Sequence, residues 1–224
     1  MKLMVNVGIY LLMIVPREGT CAMLNLTDEV LYYIYTYIGK EILDYSLTQP
    51  VGKYSPTIKA EVGKLTYEDG CEQPQYFPNF NCSELYTWDI YNSTRTPFSL
   101  PVYVIVSRKG QKKIHGFDVN NATNPYWNPD DLDRSLQYTG NYSEKKCNFS
   151  IEISVTGMFA YKVKKVGDDK PKQGLHGIGR VSYINPMLVE YNDLTLAYNI
   201  SGIFKHTVTC NPSKIEAKGN MEPS

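Results

Sequence analysis

The sequence predicts an α+β fold that is mostly β, in which an N-terminal amphipathic helix packs on an antiparallel β-sheet. Two observations support this. Apolar residues recur at helical spacing from about Asp28 to Tyr45, and beyond Pro50 the pattern changes to two-residue alternation in successive short runs up to Cys210. Consecutive strands at hairpin spacing favour an antiparallel sheet, either closed into a barrel or doubled into a sandwich.

The first 22 residues have the pattern of a secretory signal peptide. Lys2 precedes an apolar run over residues 5–15, and small residues end the segment at Ala22. Eleven apolar residues are too few for a membrane span, which needs about 20. We therefore expect cleavage after Ala22, a single secreted β-rich domain over residues 23–210, and an extracellular location.

The predicted helix runs from Asp28 to Tyr45. Thr27 can cap its first turn, and the acidic residues Asp28 and Glu29 lie at the positive end of the helix dipole. Its apolar stripe indicates a face that packs on the rest of the domain; the stripe consists of Val30, Ile34, Ile38 and Ile42.

Nine later runs alternate with a period of two and are predicted strands, with Gly63, Gly157 and Gly202 marking bulges or bends. Their approximate bounds are 58–67, 85–91, 100–107, 112–117, 146–155, 158–166, 175–184, 194–200 and 203–210. These strands would form the sheet on which the helix packs.

Two further segments have sequence patterns that predict a short helix and a disordered tail. Asn128 and Pro129 form an N-cap and first-turn pair that predicts a short helix. The polar tail over residues 211–224 has little to bury and is predicted to be disordered.

Four cysteines remain once Cys21 leaves with the signal peptide, and an even number suits an oxidising compartment. Four cysteines allow three pairings. The favoured pairing joins Cys71 to Cys82 and Cys147 to Cys210, because the first pair would close a proline-rich loop and the second would join the ends of two strands. A zinc site is disfavoured because the chain has no CxxC spacing.

Asn-X-Ser/Thr triplets are unusually frequent and predict N-linked glycans. In two predicted strands the alternation places the sequon asparagine on the solvent face, since Asn148 and Asn199 fall between apolar neighbours. The predicted glycosylation sites are Asn25, Asn81, Asn92, Asn121, Asn141, Asn148 and Asn199.

Charge and motifs argue against several functions. Lys plus Arg equal Asp plus Glu at 23 each, so bulk attraction to a nucleic acid or to an anionic membrane is not expected. Membrane insertion is not expected either, because no stretch after the first segment is apolar enough to span a bilayer. The three histidines are isolated, the aspartates near Asp130 lack an EF-hand pattern, and GLHGIG at 174–179 lacks dinucleotide-turn spacing. We expect no enzyme, no catalytic residues, no metal and no cofactor.

Aromatic residues then remain as candidates for a binding surface, because tyrosine gives stiff contact area with a polar tip. The densest aromatic stretches outside the first helix lie at 86–91 and around residue 126. The candidate binding surface consists of Tyr86, Trp88, Tyr91, Tyr126 and Trp127.

The chain resembles the immunosuppressant glycoproteins of tick saliva, a family first named for a thirty-six kilodalton band. The resemblance covers nearly the whole mature chain and rests on its overall plan, including residues 25–42 (NLTDEVLYYIYTYIGKEI), 88–94 (WDIYNST), 117–133 (FDVNNATNPYWNPDDLD) and 174–183 (GLHGIGRVSY). It implies a secreted salivary factor that lowers T-lymphocyte proliferation and cytokine production. The partner would be a host immune-cell protein or a soluble immune protein.

The alternative is a lipocalin-like barrel that sequesters a small host mediator or lipid. Tick lipocalins are also secreted, with two disulfides and a helix before the barrel, but the chain shows no Gly-X-Trp motif at a first strand. A lipid-carrying fold of the mite group-seven allergen kind would need a long second helix, and no such segment follows Cys210.

Overall fold

A computed structural model describes residues 23–71, 80–108, 111–130, 141–164, 167 and 170–212. The helical elements are α1 (Leu26–Tyr33), a π-helical turn (Ile34–Ile38) and a 3₁₀ helix (Ile178–Tyr183). The strands are β1 (Leu24–Asn25), β2 (Glu41–Ser46), β3 (Lys59–Val62), β4 (Thr66–Tyr67), β5 (Phe80–Ile90), β6 (Thr94–Arg95), β7 (Pro101–Arg108), β8 (Gln111–Asp118), β9 (Tyr126–Trp127), β10 (Asn141–Thr156), β11 (Met158–Lys164), β12 (Lys172–Gly177), β13 (Val189–Asn192) and β14 (Thr195–Pro212).

The predicted α+β, mostly β class is confirmed. A curled antiparallel sheet forms a half-barrel with the strand order β3-β10-β14-β5-β9, and β4 and β13 pair with its long strands. The pairing of β10 with β14 runs from Asn141 opposite Cys210 to Thr156 opposite Thr195. Sequence neighbours are not sheet neighbours along this path, so the sheet differs from an up-and-down barrel.

Three smaller sheets complete the described fold. Strands β12, β11 and β2 form one antiparallel sheet, β7 and β8 form a separate hairpin, and β1 pairs with β6 in parallel. Buried side chains from these sheets and from the half-barrel belong to one apolar cluster.

The central strands follow the predicted alternation of buried and exposed side chains. In β10 the inward residues Phe149, Ile151, Ile153 and Val155 are buried. Asn148 lies on the exposed face, as does Asn199 in β14. A period of two puts every second side chain on the same face, and this is why the sequence pattern predicted the orientation of both sequons.

The first helix is shorter than predicted. Its side chains Leu26, Val30 and Ile34 are fully buried, but helical backbone ends at Ile38 and Glu41–Ser46 is strand β2. The helical backbone ends before Gly39, which is extended at φ 178° and whose N–H donates to the carbonyl of Ile34. The segment after it then adds an edge strand to β11, because unpaired strand backbone gains hydrogen bonds there.

Several predicted strand bounds also change. The run 58–67 divides into β3 and β4, and the run 175–184 leaves strand conformation after Gly177. The last two predicted strands are one strand, β14, with Gly202 inside it. A Cβ at Gly202 would lie 2.1 Å from the carbonyl oxygen of Asp89, so this glycine permits close strand approach.

Both disulfides form, but the favoured pairing is wrong. Cys71 joins Cys147 and Cys82 joins Cys210. Sheet register explains the change, because Cys210 lies directly opposite Cys82, with their Cα atoms 4.0 Å apart. Cys147 lies opposite Phe204, six positions before Cys210 on β14, which is about 20 Å at 3.3 Å per residue.

Three predictions lie wholly or mostly outside the described residues: the signal peptide over 1–22, the short helix after Pro129, and the disordered tail over 211–224. The first two residues of that tail, Asn211 and Pro212, are instead the end of strand β14, because they continue its pairing with β5. In the part of the chain that the structure describes, no helix is long and apolar enough to cross a membrane. The same residues contain no group of three or more His, Cys, Asp or Glu side chains that could hold a metal ion.

Candidate binding groove

The aromatic surface predicted from the sequence is only partly a surface. Tyr86 and Trp88 are 1% and 0% exposed, so no partner reaches them in the folded chain. Tyr91 and Tyr126 are each 49% exposed, and Trp127 is partly buried against Tyr86. Alternation along β5 explains the difference, since the inward face of the strand includes both buried side chains.

A different set of tyrosines lines an open groove of about 450 Å³. We call it the tyrosine groove. It is lined by Tyr33, Tyr37, His176, Gly177, Arg180, Tyr183, Asp193 and Leu194. These residues come from the end of α1, the π-helical turn, β12, the 3₁₀ helix and the turn between β13 and β14.

The π-helical turn sets two tyrosine rings side by side. Tyr33 is the last residue of α1, Tyr37 lies in the π-helical turn, and their ring centroids are 5.1 Å apart. π-helical turns are uncommon in proteins, and many of those that do occur lie at functional sites. Tyr33 is 5% exposed and Tyr37 is 56% exposed, so the pair connects the core to the surface.

The 3₁₀ helix supplies the facing wall. Side chains three residues apart lie over one another in such a helix, and Arg180 lies over the ring of Tyr183 at 5.7 Å. Arg180 Nη1 donates to Tyr183 Oη at 2.7 Å, and Nη2 pairs with Asp193 Oδ1 at 2.7 Å. Tyr37 and Tyr183 approach edge to face at 6.5 Å.

Two glycines of the GLHGIG segment allow the two walls of the groove to approach closely. A Cβ on Gly177 would lie 2.1 Å from the carbonyl oxygen of Asp193, and one on Gly179 would lie 1.9 Å from that of Asn192. The N–H of Gly179 donates to the Asp193 carbonyl at 3.1 Å. The glycines therefore permit close backbone packing between the 3₁₀ helix and the β13–β14 turn.

His176 forms the base of the groove. Its Nε2 is hydrogen-bonded to Tyr33 Oη at 2.8 Å, and its ring centroid lies 5.7 Å from that of the buried Phe159, with the ring planes tilted by 50°. Burial lowers the pKa of His176, and the nearby Arg180 lowers it further. Burial also raises the pKa of Tyr33. Both groups are therefore neutral near pH 7, and the groove offers aromatic rings, hydroxyls and one neutralised ion pair.

This environment predicts a pH dependence of stability. With the pKa of His176 below its ordinary value of 6.5, the unfolded chain binds more protons than the folded chain in mild acid. The stabilisation is present above about pH 6.5 and is lost as the pH falls from that value through the lower pKa of His176 in the folded chain. Urea unfolding at about pH 7.5 and about pH 5.5 should show a smaller decline for His176→Asn than for the native chain.

The native chain and the variant share His115, whose pKa is also lowered by burial, so its contribution cancels from the comparison. Equal declines in the two proteins would contradict the assignment to His176. The third histidine, His206, is buried beside Glu84, with Nε2 3.0 Å from Oε2. It lies outside the tyrosine groove.

No sequon asparagine is among the residues that line the tyrosine groove. By contrast, Asn25 lines one other groove and Asn148 lines two. Asn25 caps α1 at the end far from Tyr37, about 18 Å away at 1.5 Å per residue. The tyrosine groove and these other grooves therefore have different lining residues.

The seven sequon asparagines differ in their surroundings. Five side chains are exposed, whereas Asn25 and Asn92 are half-buried. Asn92 Nδ2 donates to the Asn199 carbonyl at 2.6 Å, and its Oδ1 accepts from Ser201 N at 2.7 Å. Glycosylation of all seven stays a prediction.

Sequence reasoning missed the tyrosine groove because its residues come from five separate segments. One signal was present: Tyr33 and Tyr37 are four residues apart, which places them on one side of a predicted helix. The contribution of Arg180 and Tyr183 depends on a 3₁₀ helix in a stretch that alternation had assigned to a strand.

No family model matches the chain, and no curated protein matches it. Nine chains of solved structures match. One of these chains, in the crystal structure of the Cry23Aa1 and Cry37Aa1 binary protein complex, has 10% sequence identity and a TM-score of 0.46. The match covers 85% of this chain and 90% of that chain. A non-toxic crystal protein from Bacillus thuringiensis has 11% identity and a TM-score of 0.45, covering 85% and 94%. The Mpp75Aa1.1 beta-pore-forming protein from Brevibacillus laterosporus has 10% identity and a TM-score of 0.26, covering 75% and 67%.

Proposed function

We propose that the chain is a secreted glycoprotein of the tick salivary immunosuppressant type. It lowers T-lymphocyte proliferation and cytokine production by binding a host protein through the tyrosine groove. The observation that carries the binding part is the groove itself, a set of tyrosines that reaches the surface and has no sequon asparagine among its lining residues. The immune part comes from the sequence resemblance.

Two features support export. Both disulfides suit an oxidising compartment, where such bonds persist. Five of the seven sequon asparagines have exposed side chains, as glycan attachment requires.

The groove has the chemistry of a protein-binding surface. Tyrosine and arginine are the side chains that most often dominate binding energy at such interfaces. Here Arg180 is already held by Tyr183 and Asp193, so a partner binds a surface whose side chains lose little conformational freedom. The partner's complementary surface would present apolar or aromatic side chains with hydrogen-bonding groups at the rim.

The test is a titration of purified glycoprotein onto activated T cells, with proliferation and cytokine release as readouts. The double variant Tyr37→Ala/Tyr183→Ala should raise the half-effective concentration by about thirtyfold, since paired hot-spot residues typically contribute about 2 kcal/mol or more. Both side chains are more than half exposed, so the fold should persist.

Tyr103→Ala is the matched control, because Tyr103 is a 73% exposed tyrosine on the β7–β8 hairpin. It should suppress T cells as the native chain does. Normal proliferation and cytokine output with the native chain would overturn the proposed function. Equal potency of the native chain and the double variant would overturn the role of the groove alone.

A further inference from the structure

A second groove surrounds a predicted glycan site. Asn148, within the sequon Asn148-Phe149-Ser150, lines a groove of about 380 Å³ and an adjoining one of about 170 Å³. Glu68 also lines both. The larger volume falls within the range of small-molecule sites, about 300–1,000 Å³. The atom that would carry the sugar therefore lies where two depressions meet.

One side-chain and one main-chain hydrogen bond join Asn148 to Glu68 at this junction. Its Nδ2 donates to Glu68 Oε2 at 2.8 Å, and the N–H of Glu68 donates to the Asn148 carbonyl at 3.0 Å. Attachment of a sugar replaces one of the two Nδ2 hydrogens. The other remains available, so the hydrogen bond to Glu68 can persist in the glycosylated chain.

The walls of the larger groove suit a sugar ring, which has apolar C–H faces and a hydroxyl edge. Tyr91, 49% exposed, offers an aromatic ring to this groove. Thr66 and Ser150 contribute hydroxyls that lie 3.0 Å apart. Gly202 and Ser201 of β14 also line this groove.

We infer that the larger groove binds the first sugars of the chain's own Asn148-linked glycan. The glycan then covers a defined part of the central sheet, in a groove that shares no lining residue with the tyrosine groove. This inference rests on the glycoprotein part of the proposed function. Its occupant is tethered to the groove's own edge, so binding needs no free ligand.

The test uses the full chain secreted from insect cells. Glycopeptide mapping first establishes which sequons are occupied. A time course of peptide N-glycosidase on the native protein then compares Asn148 with Asn199, an exposed sequon on β14 that does not line the groove. We expect release at Asn148 to be at least about tenfold slower, because binding in the groove shields the linkage.

Tyr91→Ala should bring release at Asn148 to the rate of Asn199, whereas Tyr103→Ala should leave it slow. Equal native rates at the two sites, or slow release that Tyr91→Ala does not change, would overturn the inference. A bare Asn148 beside an occupied Asn199 would overturn it and leave the proposed function standing. Seven bare sequons would overturn both.

Discussion

Replacing Trp88 by alanine is expected to lower the free energy of unfolding by about 3–5 kcal/mol, the usual cost of truncating a large core aromatic residue. Trp88 is fully buried on β5, and its ring centroid lies 5.0 Å from that of Phe117 and 5.2 Å from that of Phe204. Its indole N–H donates to Tyr67 Oη at 3.2 Å. The variant therefore leaves a cavity and removes the hydrogen bond to the Tyr67 hydroxyl.

Chemical denaturation of the secreted chain measures this loss. Tyr91→Ala is the control, because Tyr91 lies just beyond the same strand but is half exposed, and its loss should change stability by less than about 0.5 kcal/mol. Similar values for the two variants would contradict the placement of Trp88 in the core. Such a result would also restore it as a candidate surface residue.

Local patterning predicted much of the fold. A period of two assigns faces without knowledge of the partner strand, and the buried positions of β10 follow it from Phe149 to Val155. The same rule applied to residues 86–91 places Tyr86 and Trp88 on one face of β5. Aromatic density alone does not show which face a side chain occupies, and for this reason it wrongly predicts a binding surface at these two core residues.

Long-range features were less predictable. The predicted helix is too long because Ile42 fits a helical stripe as well as a strand. Pairing with the edge of β11 places Ile42 in a strand, and the local sequence does not show that pairing. Strand order decides the disulfides in the same way. Because β14 lies between β5 and β10, Cys210 can face either strand, and the register selects Cys82.

The tyrosine groove likewise depends on long-range packing that a sequence pattern does not show. Tyr33 and Tyr37 belong to one local element, but their contact with Tyr183 depends on how the 3₁₀ helix packs against the β13–β14 turn. That packing depends on the absence of a side chain at Gly179. A sequence pattern identifies such a glycine as unusual, and only the folded backbone shows what approaches it.

Removal of the Cys82–Cys210 disulfide by the double substitution Cys82→Ala/Cys210→Ala should cost about 4 kcal/mol. The two residues are 128 positions apart, and the loss of loop closure in the unfolded chain is large for such a separation. Cys71→Ala/Cys147→Ala, with a separation of 76, should cost nearly as much, since the cost grows only with the logarithm of loop length. Denaturation of each variant measures both losses.

Thiol counting on the same variants tests the pairing separately from stability. Each of these double variants removes one whole disulfide and should leave no free thiol. Cys71→Ala/Cys82→Ala instead takes one partner from each bond and should leave two thiols, because the strand register holds Cys147 and Cys210 about 20 Å apart. No free thiol in this mixed variant, with two in Cys82→Ala/Cys210→Ala, would show that Cys71 joins Cys82. The register of β14 between β5 and β10 would then be wrong as well, because that register places Cys82 opposite Cys210.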